Sequence, residues 1–231
     1  MTSNLIVALD FPTRTQAMAL VQQLDPALCC LKVGSEMFTA LGPDFIQDLA
    51  RNGYKIFLDL KFHDIPNTVA QACLSAVKLG VWMINVHASG GLAMMKAAVA
   101  ALDSCEEPRP LLIAVTVLTS MDSSELPAIG VEHSAEQQVT RLALLAKQAG
   151  LDGVVCSAHE VPLVKQQCGE QFLTVTPGIR LPGDALDDQS RVMTPEHAVQ
   201  LGSDYLVIGR PITRAPDPAK IVQSILNSYS K

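Results

Sequence analysis

Eight times along the chain a short, apolar, β-branched-rich run gives way to a longer stretch with helical periodicity, and few folds accommodate that pattern. The strand-like runs lie at 5–10, 29–33, 55–61, 82–87, 111–117, 153–156, 172–176 and 205–208. The helical stretches lie at 14–23, 43–52, 67–79, 92–102, 135–148, 160–167, 195–201 and 219–228. Several strand runs are nearly continuously apolar, as expected when both faces of a sheet are covered. Each strand–helix–strand step reads as a parallel crossover. Eight such units in 231 residues predict an α/β chain folded as a single (β/α)8 TIM barrel, one catalytic domain over residues 1–231. An open doubly wound sheet is the alternative, but no Gly-x-Gly-x-x-Gly follows the first strand. No linker or low-complexity segment divides the chain.

In such a barrel the chemistry belongs at the C-terminal ends of the strands. Two long connections leave those ends, 118–134 and 178–194, and either is suited to be a substrate lid. The most informative stretch is 55–68, Lys-Ile-Phe-Leu-Asp-Leu-Lys-Phe-His-Asp-Ile-Pro-Asn-Thr. Strand residues two apart share a face. Ile56, Leu58 and Leu60 then face the helices, while Phe57, Asp59 and Lys61 face the barrel interior. Burying charge there is costly unless it is paired. A purely structural Asp59–Lys61 pair would leave further charges unexplained. Asp10 ends the first strand, and Lys32 lies opposite in face to Leu31 and Val33. Asp64 follows Lys61 by three residues; a capping role for it is weakened because Ile65 directly precedes Pro66. Two lysines and two or three aspartates at one rim make an alternating array in which carboxylates keep lysines charged and oriented. Such an array suits proton donation to a developing carbanion. Asn85 and His87 share a face of the fourth strand, and His87 reads as a satisfied core residue.

The last two strands end in Thr-Pro-Gly-Ile-Arg at 176–180 and Ile-Gly-Arg at 208–210. Barrels often bind phosphate after strands seven and eight. Gly178 and Gly209 would let backbone N–H groups approach an anion, and Arg210 can grip phosphate with two parallel hydrogen bonds. Gln189, in the seventh loop, could reach over a ligand. The net charge of −6 argues against nucleic acid or an anionic membrane as partner, so phosphate must be held by local groups. The six cysteines form no Cys-x-x-Cys pair and no zinc-type cluster with histidine. Free thiols, no basic leader before residues 5–9 and no membrane-length apolar run suggest a cytoplasmic protein.

At this point a resemblance is visible. The runs at 31–34, 58–68, 86–90, 116–120, 176–180 and 207–210 resemble, in the same order, the orotidine 5′-phosphate decarboxylase family. The triplets are individually weak; the ordered set is specific and spans essentially the whole chain. The resemblance implies conversion of orotidine 5′-monophosphate to uridine 5′-monophosphate and CO2, the last step of de novo uridylate synthesis, with neither metal nor organic cofactor. It implies that Lys61 donates a proton to C6 of the pyrimidine and that Asp59 sits against the departing carboxylate. Asp10 and Lys32 would bind ribose hydroxyls, with Lys32 also ordering the carboxylates. Asp64 and Thr68 would come from the neighbouring subunit of a homodimer with shared active sites. Leu60, Phe62, His63, Ile65, Pro66 and Asn67 fall within the same substrate-binding run. Thr119 and the Ser120 backbone would address the pyrimidine, and Arg180, Gln189, Gly209 and Arg210 would surround the phosphate.

Two rivals remain. Magnesium-dependent sugar-phosphate barrels, 3-keto-gulonate 6-phosphate decarboxylase and hexulose-phosphate synthase, share Asp-x-Lys-x-x-Asp; Lys32 argues against them, because a cation there disfavours Mg²⁺ beside Asp59. A non-catalytic phosphoribosyl-binding module would not need a buried Asp59–Lys61 pair.

Overall fold

All eight expected strands form, and they pair in chain order into a closed barrel. The computed structural model describes residues 4–121, 124–181 and 193–229. The strands are β1 (Leu5–Leu9), β2 (Cys30–Gly34), β3 (Ile56–Phe62), β4 (Met83–His87), β5 (Leu111–Val115), β6 (Gly153–Val155), β7 (Leu173–Thr176) and β8 (Tyr205–Ile208). Every neighbouring pair is parallel, and β8 closes on β1 through Ile6 and Val207. The principal helices are α1 (Arg14–Val21), α2 (Ser35–Arg51), α3 (Pro66–Val77) and α4 (Gly91–Asp103) in the first half. A short α5 (Glu125–Ala128) precedes α6 (Ala135–Ala149), α7 (Val161–Cys168), α8 (Pro195–Gln200), α9 (Arg210–Thr213) and α10 (Pro218–Tyr229).

Strand alternation divides the apolar residues into two layers. One lies between strands and helices; the other fills the barrel, with Ile6, Cys30, Phe57, Met83, Ile113 and Val175 among its members. Adjacent Cys29 and Cys30 fall in different layers, as their parity requires. One pleat above the interior layer, on the same inward face, come the polar residues: Ala8 leads to Asp10, Cys30 to Lys32, Phe57 to Asp59 and Met83 to Asn85, while Val207 leads to Gly209. A filled barrel thus lifts its charges to the rim. All six cysteines are free, and burial pushes the Cys29 and Cys73 thiols up to about 12, which leaves them unreactive at neutral pH.

Three departures from the sequence reading have local causes. α2 starts at Ser35, not 43, and breaks at Gly42 (φ 67°, ψ −169°), a conformation glycine adopts without strain; Pro43 then opens its second half. The 118–134 connection is not continuous loop but holds α5. A one-turn helix, α9, follows β8 directly. Elsewhere α6 begins as the residues dictate: Ser134 and Gln137 form a reciprocal capping box. Lys165, buried in α7, bonds Asp204 at 2.7 Å and the carbonyls of Glu170 and Phe172, so this buried charge staples α7 to the lower ends of β7 and β8. Among the described residues no helix is long and apolar enough to cross a membrane.

Candidate active site

The upper end of β3 is irregular, and the irregularity builds the site. Leu58 pairs with Ile84 of β4, but the next pair is Phe62 with Val86, so four residues of β3 span two of β4. Two extra residues bulge out between them. An even number keeps the sidedness of the strand, so Lys61 still points inward although its neighbours are not in regular register. The chain manages the turn with Lys61 at φ 54°, the single non-glycine residue with positive φ among those described. Its N–H, displaced from the ladder, donates to Asn85 Oδ1 at 2.8 Å.

The charges form the expected alternating chain. Lys32 Nζ lies 3.5 Å from Asp10 and 3.3 Å from Asp59 Oδ2; Lys61 Nζ lies 2.8 Å from Asp59 Oδ1. Its ends are the more exposed, with Asp10 at 61% and Lys61 at 37%, and its middle is buried, with Lys32 at 12% and Asp59 at 11%. Burial alone would raise the Asp59 pKa, but Lys32, Lys61 and hydrogen bonds from Lys61 and Asn85 outweigh it and hold the carboxyl below its usual range. Burial alone would lower Lys32, yet Asp59 and Asp10 leave it raised. Asp59 is therefore a carboxylate and Lys32 an ammonium throughout the neutral range.

Beside the array lie two cavities that share Lys32, Pro177 and Val207. The smaller, about 210 Å³, is walled by Val115, Val155 and Val175, with Thr119, Ser120, Asp59 and Lys61 at its edge. The larger, about 600 Å³, runs from Asp10 to Gly178, Arg180, Gly209 and Arg210. Gly178 has φ 78°, a conformation that favours glycine. Beyond it, Arg180 N–H donates to the Met193 carbonyl and Met193 N–H to the Gly178 carbonyl, fixing where the chain leaves and re-enters this rim. Gln189 lies outside the described residues.

The remaining expected residues sit elsewhere. Leu60 and Phe62, expected within the substrate-binding run, are partly buried against the outer apolar layer and line neither of these two cavities. Asp64 is exposed and accepts a 2.6 Å hydrogen bond from Ile65 N–H; it neither caps α3 nor joins the array within this chain. Ile65, 66% exposed, continues into exposed Pro66, Asn67 and Thr68. His63 stacks on His87 with ring centroids 5.6 Å apart, and Ser89 Oγ lies 2.8 Å from His87 Nδ1, so His87 has partners as expected but is half-buried rather than a core residue. Burial, then His63 and Lys61, hold the His87 pKa below its usual value. Missing from the sequence reading are Asn85 as a partner of both Asp59 and Lys61, and Pro177 and Val207 as walls common to both cavities.

The model of the family described as "Orotidine 5'-phosphate decarboxylase / HUMPS family" matches residues 3–225. This chain belongs to that family. Among curated members, the orotidine 5'-phosphate decarboxylase of Legionella pneumophila (strain Lens) is 62% identical over 226 residues, covering 98% of this chain and 99% of its own. That of Vibrio campbellii is 57% identical, covering 98% and 97%. The crystal structure of orotidine 5'-phosphate decarboxylase from Lactobacillus acidophilus superposes with a TM-score of 0.89 at 39% identity, covering 99% of this chain and all of that one. As a member of the orotidine 5′-phosphate decarboxylase family the chain is an enzyme, a carboxy-lyase on a (β/α)8 barrel.

Proposed function

We propose that this enzyme decarboxylates orotidine 5′-monophosphate to uridine 5′-monophosphate, completing de novo uridylate synthesis, without metal or organic cofactor and with Lys61 as proton donor to C6. The observation that carries this reading is the ammonium of Lys61, held 2.8 Å from Asp59 between an apolar cavity of a base's size and a cleft bearing arginines. The base would enter the smaller cavity beside Thr119 and the Ser120 backbone, the ribose would lie across Asp10 and Lys32, and the phosphate would meet Arg180, Gln189, Gly209 and Arg210. The C6–carboxylate bond then breaks, CO2 departs and the electron pair stays on C6. A fixed ammonium there stabilises that charge and then transfers its proton to C6. Asp59, ionised throughout, orients Lys61 and faces the departing carboxylate.

The magnesium-dependent reading is disfavoured by the surroundings of Asp59. Oδ1 takes Lys61 and Asn85, and Oδ2 takes Lys32, so a divalent ion would have to displace a lysine and would meet its charge. The deciding assay follows the absorbance loss of orotidine 5′-monophosphate with and without excess EDTA. Equal rates are expected; a rate abolished by EDTA and restored by Mg²⁺ would reverse the assignment.

The phosphate end has its own test. Arg210→Ala is expected to cost about 100-fold or more in kcat/KM on the nucleotide, the scale of a lost charge-assisted pair, and little on the unphosphorylated nucleoside. Equal losses on both would remove Arg210 from the phosphate. Part of the effect would fall on kcat, because remote binding energy can drive closure of the rim.

The exposed stretch from His63 to Thr68 supports a shared site. Asp64 is not spent within this chain and stands beside an exposed isoleucine, as a segment that inserts into a second copy would. A cytoplasmic homodimer in which Asp64 and Thr68 complete the neighbour's array is the assembly this reading requires.

A further inference from the structure

Asn85 stands one pleat above Met83 on the inward face of β4 and is fully buried. Both ends of its amide are used. Nδ2 donates to Asp59 Oδ1 at 2.7 Å, and Oδ1 accepts from the Lys61 N–H at 2.8 Å. Lys61 Nζ returns to the same Asp59 oxygen at 2.8 Å. Asn85, Asp59 and Lys61 therefore close a ring that contains one left-handed backbone position, Lys61 at φ 54°. Such a position persists only where its surroundings over-determine it. At the bulge the strand ladder does not supply the acceptor for the Lys61 N–H; the amide of Asn85 does. The amide also sets the orientation of the carboxylate that the Lys61 side chain rests on. Asn85 itself lines neither cavity.

We propose that Asn85 is a positioning residue for catalysis: its amide splints the Lys61 backbone to the Asp59 carboxylate, so that placement of the ammonium, not affinity for nucleotide, depends on it. The inference rests on the reading of Lys61 as proton donor.

Two replacements separate positioning from packing. Asn85→Ala removes both hydrogen bonds. A misplacement of the order of 1 Å in a reacting group costs about 10²-fold, so kcat is expected to fall by about ten- to a hundredfold while the Kd for uridine 5′-monophosphate stays within about threefold. Asn85→Asp keeps the shape. Its carboxyl would face Asp59 at hydrogen-bond distance, and two carboxyls so placed share a proton. The charged groups around them are Lys32 from β2 and Lys61 from β3, with Asp10 of β1 behind Lys32 and His87 of β4 facing Lys61. While protonated, the new carboxyl donates to Asp59 as the amide does. Once ionised, it repels Asp59 and competes for Lys61. Activity of Asn85→Asp should therefore exceed that of Asn85→Ala at low pH and be lost as pH rises, along a limb absent from the wild-type profile.

The experiment measures kcat against pH for wild type, Asn85→Ala and Asn85→Asp, with uridine 5′-monophosphate binding by calorimetry. A selective kcat loss in the alanine variant with the added alkaline limb in the aspartate variant supports the proposal. A kcat within about twofold of wild type for Asn85→Ala, a parallel loss of kcat and nucleotide affinity, or a wild-type pH profile for Asn85→Asp overturns it. If the alanine variant does not fold, the isosteric aspartate variant carries the test alone. Lys61→Ala, measured alongside, separates the two levels: turnover in that variant removes the proton-donor reading, whereas a dead Lys61→Ala with normal Asn85 variants removes only the present inference.

Discussion

Lys61→Ala is expected to leave a folded enzyme that binds uridine 5′-monophosphate and decarboxylates nothing measurable. The loss combines a missing proton donor with a missing electrostatic partner for the C6 charge, together about four orders of magnitude or more. Folding should survive. Asp59 keeps Lys32 and Asn85 as partners after the change, so no buried carboxylate is stranded. Single-turnover assays report the chemical step and calorimetry with the product nucleotide reports the site. Turnover within about tenfold of wild type would show that another group protonates C6.

The second large effect is a gain rather than a loss. Lys61→Ala and Asp64→Ala should each be inactive alone, yet mixing them under conditions that exchange subunits should restore about a quarter of the wild-type activity. Random reassortment makes half the dimers mixed, and each mixed dimer carries one site with both residues and one with neither. The motive is the place of Asp64: exposed, bonded among the described residues to the next residue's N–H, and apart from the array that the other charges form. Mixed dimers verified by mass spectrometry but without activity would confine each site to one chain.

What could be read from the residues follows from the parity of strands. Asp10, Lys32, Asp59 and Asn85 each lie two positions beyond an apolar interior residue, so alternation alone put them on the inward face. The alternating charges followed, because buried ions of one sign demand ions of the other. Lys61 was placed correctly through an arrangement that parity does not contain. The strand gains two residues against its neighbour there, and only an even bulge keeps the side chain inward. The left-handed backbone at Lys61 was equally illegible, since lysine carries no preference for it. The role of Asn85 was hidden for the same reason: its partner is a backbone N–H freed by the bulge. Helix α5 and the first half of α2 were missed because they are short or interrupted by Gly42, and their periodicity is weak over so few residues. The packing of Leu60 and Phe62 against the outer apolar layer was implicit in the same alternation.

The apolar plug within the barrel constrains the order of events. Ile6, Cys30, Phe57, Met83, Ile113 and Val175 fill the barrel interior beneath the charges, and among the described residues the Lys61 side chain keeps 37% of its surface exposed at the rim. A nucleotide bound over the rim, as proposed, would cover that exposed face. On the proposed reading, in which Lys61 gives its proton to C6, recharging of the amine from bulk water would wait until uridine 5′-monophosphate has left, so each cycle would end with an amine reached through the departing product's doorway.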